Sequence, residues 1–448
     1  MSNLDPTQLV IFGITGDLSR RYLLPALYHL CKDGLLPEQL VIIGTSRQAL
    51  DLDDFLGHVE VCVLEQDKVC DPEVLNQLRA LMRLVQLDPT NPEDYHKLKL
   101  TLDSVEDEFG TCMNRLYYLS IPPQLYAQVI QHLGEAELNA SCAHGNALTR
   151  LVVEKPFGYD TPSAQELIDR TGQWFGEHQV FRIDHYLAKE TVQDVLLFRQ
   201  HNQSYETCWN SATIASIDIV AYEHLDVQGR SFYDEIGALR DLIQSHLLQL
   251  LALTTMELPE KDSSDSFHAS KEQLLAALGA FPADQVATHT TRGQYIGYRD
   301  EVGNADSMTD TFAALELTPP IPRWKNTTFR IATGKALDAK RTEIKVTLTD
   351  GRAVHFRIQP EPRIAVDNDP SAVTDFSGVE RPVNHPGADA YERVLIDAIR
   401  GDQTLFASSR EVMACWHFVQ PILDEWAKNA VALQPYEKGS DPIHIWRP

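Results

Sequence analysis

A chain of 448 residues is longer than a single hydrophobic core usually organises, so two domains are expected. Its composition, 43% hydrophobic and 23% charged, is that of a globular protein. The formal net charge of -25 argues against nucleic acid or an anionic membrane surface as a partner, since both require clustered Lys and Arg. An anionic substrate would have to be met by a local cationic cluster acting against the field of the whole molecule, so the position of each Lys and Arg is informative.

No apolar run approaches the roughly 20 residues of a membrane span. The N-terminal apolar run, residues 9–12, is too short for a signal peptide. The 7 cysteines are scattered with no Cys-x-x-Cys pair, which signals neither a disulfide framework nor a zinc site. These features predict a soluble cytoplasmic protein with reduced thiols and no metal centre.

The first half of the chain alternates short apolar runs with longer helical periodicities. Residues 8–12 read as a buried parallel strand and residues 22–32 as the helix that follows. Strands over 40–43, 115–119 and 151–153 come next, the last ended by Pro156 and Gly158, with helices over 72–87 and 163–175. Strand–helix alternation of this kind predicts a parallel sheet covered on both faces.

Past about residue 200 the pattern changes. A long amphipathic helix is expected over 237–256. Period-two alternation follows over 312–317, 329–333, 343–348 and 354–358, as in an antiparallel sheet with one solvated face. Helices over 389–400 and 409–428 would cover the other face. The expected fold class is therefore α/β plus α+β. A Rossmann-like, doubly wound domain would occupy residues 1–182, and a domain with a large, mainly antiparallel sheet covered by helices would occupy residues 183–448.

Gly13-Ile-Thr-Gly16-Asp-Leu-Ser-Arg20 lies between the first strand and the first helix. Glycines there permit a tight turn and bring backbone amides close to a pyrophosphate, which the helix N-terminus stabilises. Gly13, Thr15, Gly16, Asp17 and Leu18 are thus coenzyme-binding candidates. The second strand runs into Thr45-Ser46-Arg47, with no acid before Asp51. An acid at that strand end would bond the ribose hydroxyls of NAD, whereas Ser46 and Arg47 suit the 2′-phosphate of NADP.

Arg182-Ile-Asp-His-Tyr-Leu-Ala-Lys189 packs two cations, a carboxylate, an imidazole and a phenol into eight positions. Unpaired buried charge is costly, and a solvated loop rarely carries a Tyr flanked by Ile and Leu. This density predicts a polar pocket wall in which His185 and Lys189 hold an anion while Asp184 orients a neighbouring group.

With these two segments in place, the chain resembles the glucose-6-phosphate dehydrogenase family. The resemblance extends to Glu154-Lys-Pro-Phe-Gly158, to Gly237-Ala-Leu-Arg-Asp-Leu-Ile-Gln-Ser-His-Leu-Leu-Gln249, to Pro322-Arg-Trp and Thr333-Gly-Lys335 with Lys340, and to Asp389-Ala-Tyr-Glu-Arg with Gly401-Asp-Gln-Thr-Leu-Phe406. It covers nearly the whole chain in the family's order.

The resemblance implies oxidation of D-glucose 6-phosphate at C1 to 6-phospho-D-glucono-1,5-lactone, with hydride transfer to NADP. It makes His246 the general base and Asp184 its carboxylate partner. It places His185, Tyr186 and Lys189 on the 6-phosphate, and Glu223 and Asp241 on the sugar hydroxyls. Lys155, poised between coenzyme and sugar, completes the pocket together with Lys335 and Lys340. It also implies a homodimer or homotetramer, since the family tends to pair subunits through the C-terminal sheet.

Four positions depart from the family pattern: Ala188 where Gly is usual, Ala332 where Arg is usual, Ser245 where Asn is usual, and Tyr22 where Lys is common. The sheet region after Lys340 is short, with Thr349-Asp-Gly-Arg352 as a tight hairpin turn. A dehydrogenase of another sugar or sugar phosphate, or a catalytically silent regulatory paralogue, are the alternatives. Retention of Asp184, His185, Lys189 and His246 argues against the silent one.

Overall fold

A computed structural model describes residues 4–140, 147–260, 263–379 and 390–446. Its strands in chain order are β1 (Thr7–Phe12), β2 (Leu40–Ser46), β3 (Met82–Gln86), β4 (Asn114–Leu119), β5 (Thr149–Val153), β6 (Val180–Ile183), β7 (Ile214–Tyr222), β8 (Thr290–Tyr295), β9 (Phe312–Leu317), β10 (Thr328–Gly334), β11 (Arg341–Leu348), β12 (Ala353–Gln359), β13 (Arg363–Val366), β14 (Phe406–Ala407) and β15 (Leu433–Tyr436). Contact density divides the chain into two units. The first holds the chain up to Gly158, Gln165–Ala188 and the return segment ending at Ser409; the second holds Tyr159–Ala164, Lys189–Val379 and the chain from Arg410 onward.

The first unit is built on a seven-stranded sheet of order β14-β6-β5-β4-β1-β2-β3, parallel except where β14 pairs with β6. β1 is fully buried because both its faces are covered. Leu9 and Ile11 point into one core with Leu24, Leu27, Val394 and Leu395. Val10 and Phe12 point into the other with Leu98, Leu102, Val129 and Leu133. This is the doubly wound α/β architecture that the alternation predicts.

The second unit carries an eight-stranded sheet of order β13-β12-β11-β7-β10-β9-β8-β15. It is mainly antiparallel, with β10 parallel to β7 and β15 parallel to β8. Along β11, Thr342, Ile344, Val346 and Leu348 are buried while the residues between them are more exposed, the expected period of two. The tight turn at 349–352 joins β11 to β12, closed by Leu348 N–H donating to the Arg352 carbonyl at 2.7 Å.

Several expectations are corrected. The helix expected over 72–87 is a helix Pro72–Leu81 followed by strand β3, because pairing with β2 outweighs the local helical pattern of Met82–Gln86. The helix expected to cover the antiparallel sheet, Ala390–Arg400, packs instead in the core of the first unit. Its apolar stripe is legible locally, but the surface that receives it is not. A single cut after residue 182 was expected; by contact density the chain instead crosses between the units at Gly158/Tyr159, Ala164/Gln165 and Ala188/Lys189, and the return segment rejoins the first unit. Cys31, Cys62, Cys70, Cys208 and Cys415 are free thiols, whereas Cys112 is disulfide-bonded, a departure from the expected reduced set. No helix among the described residues is long and apolar enough to cross a membrane.

Candidate active site

In the first unit, the turn after β1 is shaped by Gly13, whose φ is +78°. A Cβ at Gly13 would lie 2.4 Å from the Ser120 carbonyl oxygen at the end of β4, so no side chain fits there. Gly16 N–H donates to the Gly13 carbonyl at 2.9 Å, and buried Ser19 donates through Oγ to the same carbonyl at 3.0 Å. Thr15 and Asp17 are exposed and Leu18 is half-buried. Asp17 is paired with Arg21 at 2.8 Å. The helical segment that follows begins at Asp17, ahead of Ser19–Leu23 and Leu24–Lys32, and Leu18 supplies no side-chain cap; Arg20 N–H is taken by the Gly16 carbonyl at 3.0 Å, so an anion would meet the amides ahead of it. At the end of β2, Ser46 is half-buried and Arg47 is exposed, within electrostatic range of Asp88. This cradle, closed by a glycine that tolerates no Cβ, fits a dinucleotide pyrophosphate.

Two further strand ends of this unit carry candidate residues. Half-buried Lys155 follows β5. After β6 the chain makes a turn in which Asp184 Oδ1 accepts from Tyr186 N–H at 2.9 Å, and the Asp184 carbonyl accepts from Leu187 N–H at 3.0 Å. Asp184 and Tyr186 are buried and His185 is half-buried, its ring 5.1 Å from that of Tyr186. Ala188 is fully buried with a negative φ, so the methyl that replaces the usual glycine hydrogen causes no backbone strain. Its carbonyl accepts from Arg393 Nη1 at 3.1 Å.

In the second unit, Lys189 occupies the N-cap position of helix Glu190–His201. Helix Leu239–Leu247 is π-wound and passes into an α-helix at Leu248–Thr255. Bonds of the i→i+5 kind, such as Leu248 N–H to the Ile243 carbonyl, bring residues five apart to nearly one face, so Asp241 and His246 line up. His246 is fully buried. Asp310 starts this helix: its Oδ2 accepts from Leu239 N–H at 2.7 Å and its carbonyl from Ala238 N–H at 2.8 Å. Burial pushes the Asp310 carboxyl above the usual carboxylate range.

Strand ends β7 and β10 converge on the same place. Glu223 N–H donates to the Gly334 carbonyl at 2.8 Å, which sets Glu223 beside Lys335. The buried Lys335 ammonium is ion-paired with Glu223, lies 3.5 Å from Asp241, and sits 4.9 Å above the Tyr233 ring. One cation fixed among two carboxylates and an aromatic face leaves carboxylate lone pairs for sugar hydroxyl donors. Ala332 is fully buried between Val220 of β7 and Ala314 of β9. Lys340 is exposed and stands outside this ion cluster.

Asp310 and Tyr233 are not legible in the sequence, because both act through partners far away in sequence and carry no local motif. Glu154 opens the Glu154-Lys-Pro-Phe-Gly158 segment, whose pattern assigns it no role. It is buried and accepts a hydrogen bond from Tyr118 at 2.6 Å.

A doubly wound sheet with such a turn at its first strand–helix junction is the architecture of nicotinamide dinucleotide-linked oxidoreductases, and the chain is one of them. The family models "Glucose-6-phosphate dehydrogenase, NAD binding domain" and "Glucose-6-phosphate dehydrogenase, C-terminal domain" match residues 10–194 and 196–444. A glucose-6-phosphate 1-dehydrogenase of Gluconobacter oxydans is 36% identical over 98% of this chain and 94% of its own. A solved structure of a glucose-6-phosphate dehydrogenase in complex with its substrate superposes with a TM-score of 0.87 at 29% identity, covering 98% of this chain and 96% of that one. A glucose-6-phosphate 1-dehydrogenase from Mycobacterium avium gives 0.82 at 30%, covering 98% and 95%. The chain belongs to the glucose-6-phosphate dehydrogenase family.

Proposed function

We propose that this enzyme oxidises D-glucose 6-phosphate at C1 to 6-phospho-D-glucono-1,5-lactone, with NADP as the hydride acceptor. Support comes from family membership along the whole chain, and one observation carries the reading: the fixed Glu223–Lys335–Asp241 cluster on the same helix face as a buried histidine. NADP, when bound, supplies the hydride-accepting ring. The chain's residues do the rest.

His246 takes the proton of the C1 hydroxyl as the C1–H bond breaks, leaving the C1 carbonyl of the lactone. Asp184 favours the imidazolium that forms. Glu223 and Asp241 accept hydrogen bonds from sugar hydroxyls and so fix the ring. His185, Tyr186 and Lys189 hold the 6-phosphate, against the negative field of a chain whose net charge is -25. Lys155 and Lys335 complete the cationic lining; Lys340, exposed, is assigned to the substrate by the family resemblance alone. On the coenzyme, Gly13, Thr15, Gly16, Asp17 and Leu18 form the pyrophosphate turn, while Ser46 and Arg47 receive the 2′-phosphate.

The direct test follows nicotinamide reduction with NADP and glucose 6-phosphate, and then with NAD, glucose and other hexose phosphates. His246→Asn should lower kcat by at least about 100-fold with a modest change in KM. Full activity in that variant removes His246 as base. Arg47→Ala should weaken NADP binding by about 1.5–3 kcal/mol while leaving NAD binding unchanged. Equal losses for the two coenzymes would remove the 2′-phosphate assignment. Assembly as a cytoplasmic homodimer or homotetramer is part of the same proposal. Sedimentation at the mass of a single 50.5 kDa chain would overturn it.

A further inference from the structure

The carboxyl of Glu154 is a buried titratable group that the scheme above does not use. It directly follows β5 and precedes Lys155. Tyr118, on neighbouring β4, donates to its Oε1 at 2.6 Å. A second phenol, Tyr391, hydrogen-bonds the same carboxyl from helix Ala390–Arg400, the return segment of the first unit. Tyr391 is itself steadied by stacking on Tyr22 at 4.8 Å, where the family more often has Lys. The groups facing Glu154 are thus Tyr118 from β4, Tyr126 hydrogen-bonded to its main chain from helix Tyr126–Glu135, Tyr391 from the return helix, the Lys155 ammonium, and the Asp184 carboxylate after β6.

Two aromatic donors surround a buried carboxylate placed in electrostatic range of Asp184. A structural role alone would be served as well by Gln, which avoids the cost of a buried charge. We propose that Glu154 is a positioning residue of the reaction: clamped by Tyr118 and Tyr391, its negative charge stands behind Asp184 and strengthens the field that favours a protonated base. Burial raises the Glu154 carboxyl to about 7, while the two phenols and Lys155 pull it back down. The group therefore changes charge within the working range of a dehydrogenase. Above that range it is anionic and assists proton abstraction. Below it, the carboxyl is neutral and the assistance disappears, so kcat falls with pH on two groups that titrate together.

This inference rests on Asp184 serving the base His246, as proposed above. Its test is the pH profile of kcat for three variants. Glu154→Gln holds the neutral state permanently. It should lower kcat at pH 8 by about 3–10-fold, keep KM for the sugar phosphate within about threefold, and turn a two-proton acid limb into a one-proton limb displaced to lower pH. Tyr391→Phe removes one donor, so the carboxyl protonates more readily and the acid limb moves to higher pH. Opposite displacements are what a merely structural lesion does not produce. A wild-type profile in Glu154→Gln, or displacement of both variants in one direction, overturns the inference. The control His246→Asn separates the two readings: if it is inactive while Glu154→Gln keeps the wild-type profile, only the role of Glu154 is lost, and if it is active both fail.

Discussion

Gly13 shows how much one hydrogen atom decides. The backbone there has φ of +78°, and the place a Cβ would occupy is taken by the Ser120 carbonyl at 2.4 Å. Gly13→Ala should raise the Kd for NADP at least about tenfold, measured by coenzyme fluorescence titration, because the turn must shift to admit the methyl. Gly34 is the control: its φ is also positive, +64°, but nothing lies within 4 Å of the added atom. Gly34→Ala should cost about 1 kcal/mol of stability from backbone strain and leave coenzyme affinity unchanged. Equal effects of the two substitutions on affinity would show that the cradle does not depend on close approach at Gly13. At this scale the sequence was legible for the turn, whose glycine spacing announces a close backbone approach. It was less so for Lys340, which is exposed, because spacing in a turn does not say whether a side chain folds inward.

Helix 239–247 carries both Asp241 and His246, and its winding decides whether they share a face. In an α-helix, residues five apart diverge; the π winding brings them together. The sequence announces a helix over 237–256, but it does not announce the π turns, nor that Asp310, from a loop some 70 residues away, receives the first amides of the helix. Asp310→Ala should destabilise the protein by about 1–2 kcal/mol in urea unfolding and lower kcat more than KM, because the helix start that aims His246 is uncapped. A stable variant with normal kcat would show that the winding is intrinsic.

Another inter-element tie is His29, whose Nδ1 lies 2.9 Å from Glu392 on the return helix and whose Nε2 lies 3.0 Å from Asp67. Glu392 above all, then Asp67, raises the His29 pKa. A raised folded-state value means that the stabilisation is fully present below the unfolded value near 6.5 and is lost as pH rises through the folded value. The difference in urea midpoint between wild type and His29→Gln should therefore be largest at pH 6 and shrink above pH 8. A difference independent of pH would assign the effect to packing instead.

For the whole molecule, the informative departure is the return of the chain to its first unit. Val394, Leu395, Ile396, Ile399 and Phe406 are buried in the core that also holds Leu9 and Ile11. Burying five such side chains contributes on the order of 10 kcal/mol, comparable to the roughly 5–15 kcal/mol net stability of a whole domain. A fragment of residues 1–188 should therefore lack cooperative unfolding and bind hydrophobic dyes, whereas the same fragment joined by a flexible linker to residues 390–409 should regain a sigmoidal urea transition. Cooperative unfolding of residues 1–188 by themselves would show that the return segment is dispensable to this core.

What the sequence by itself determined is what short-range chemistry encodes. The alternation of strands and helices, the tight glycine turn, the absence of an acid after β2, and the charged segment ending at Lys189 are all written within a few residues of one another. Tertiary structure decided which surfaces meet: Met82–Gln86 became a strand because β2 offered it a partner, Ala390–Arg400 chose the parallel sheet over the antiparallel one, and Tyr391 reached the carboxyl of Glu154. An apolar stripe or a phenol carries no address. Its partner is selected by the free energy of the assembled core, a sum over residues hundreds of positions apart.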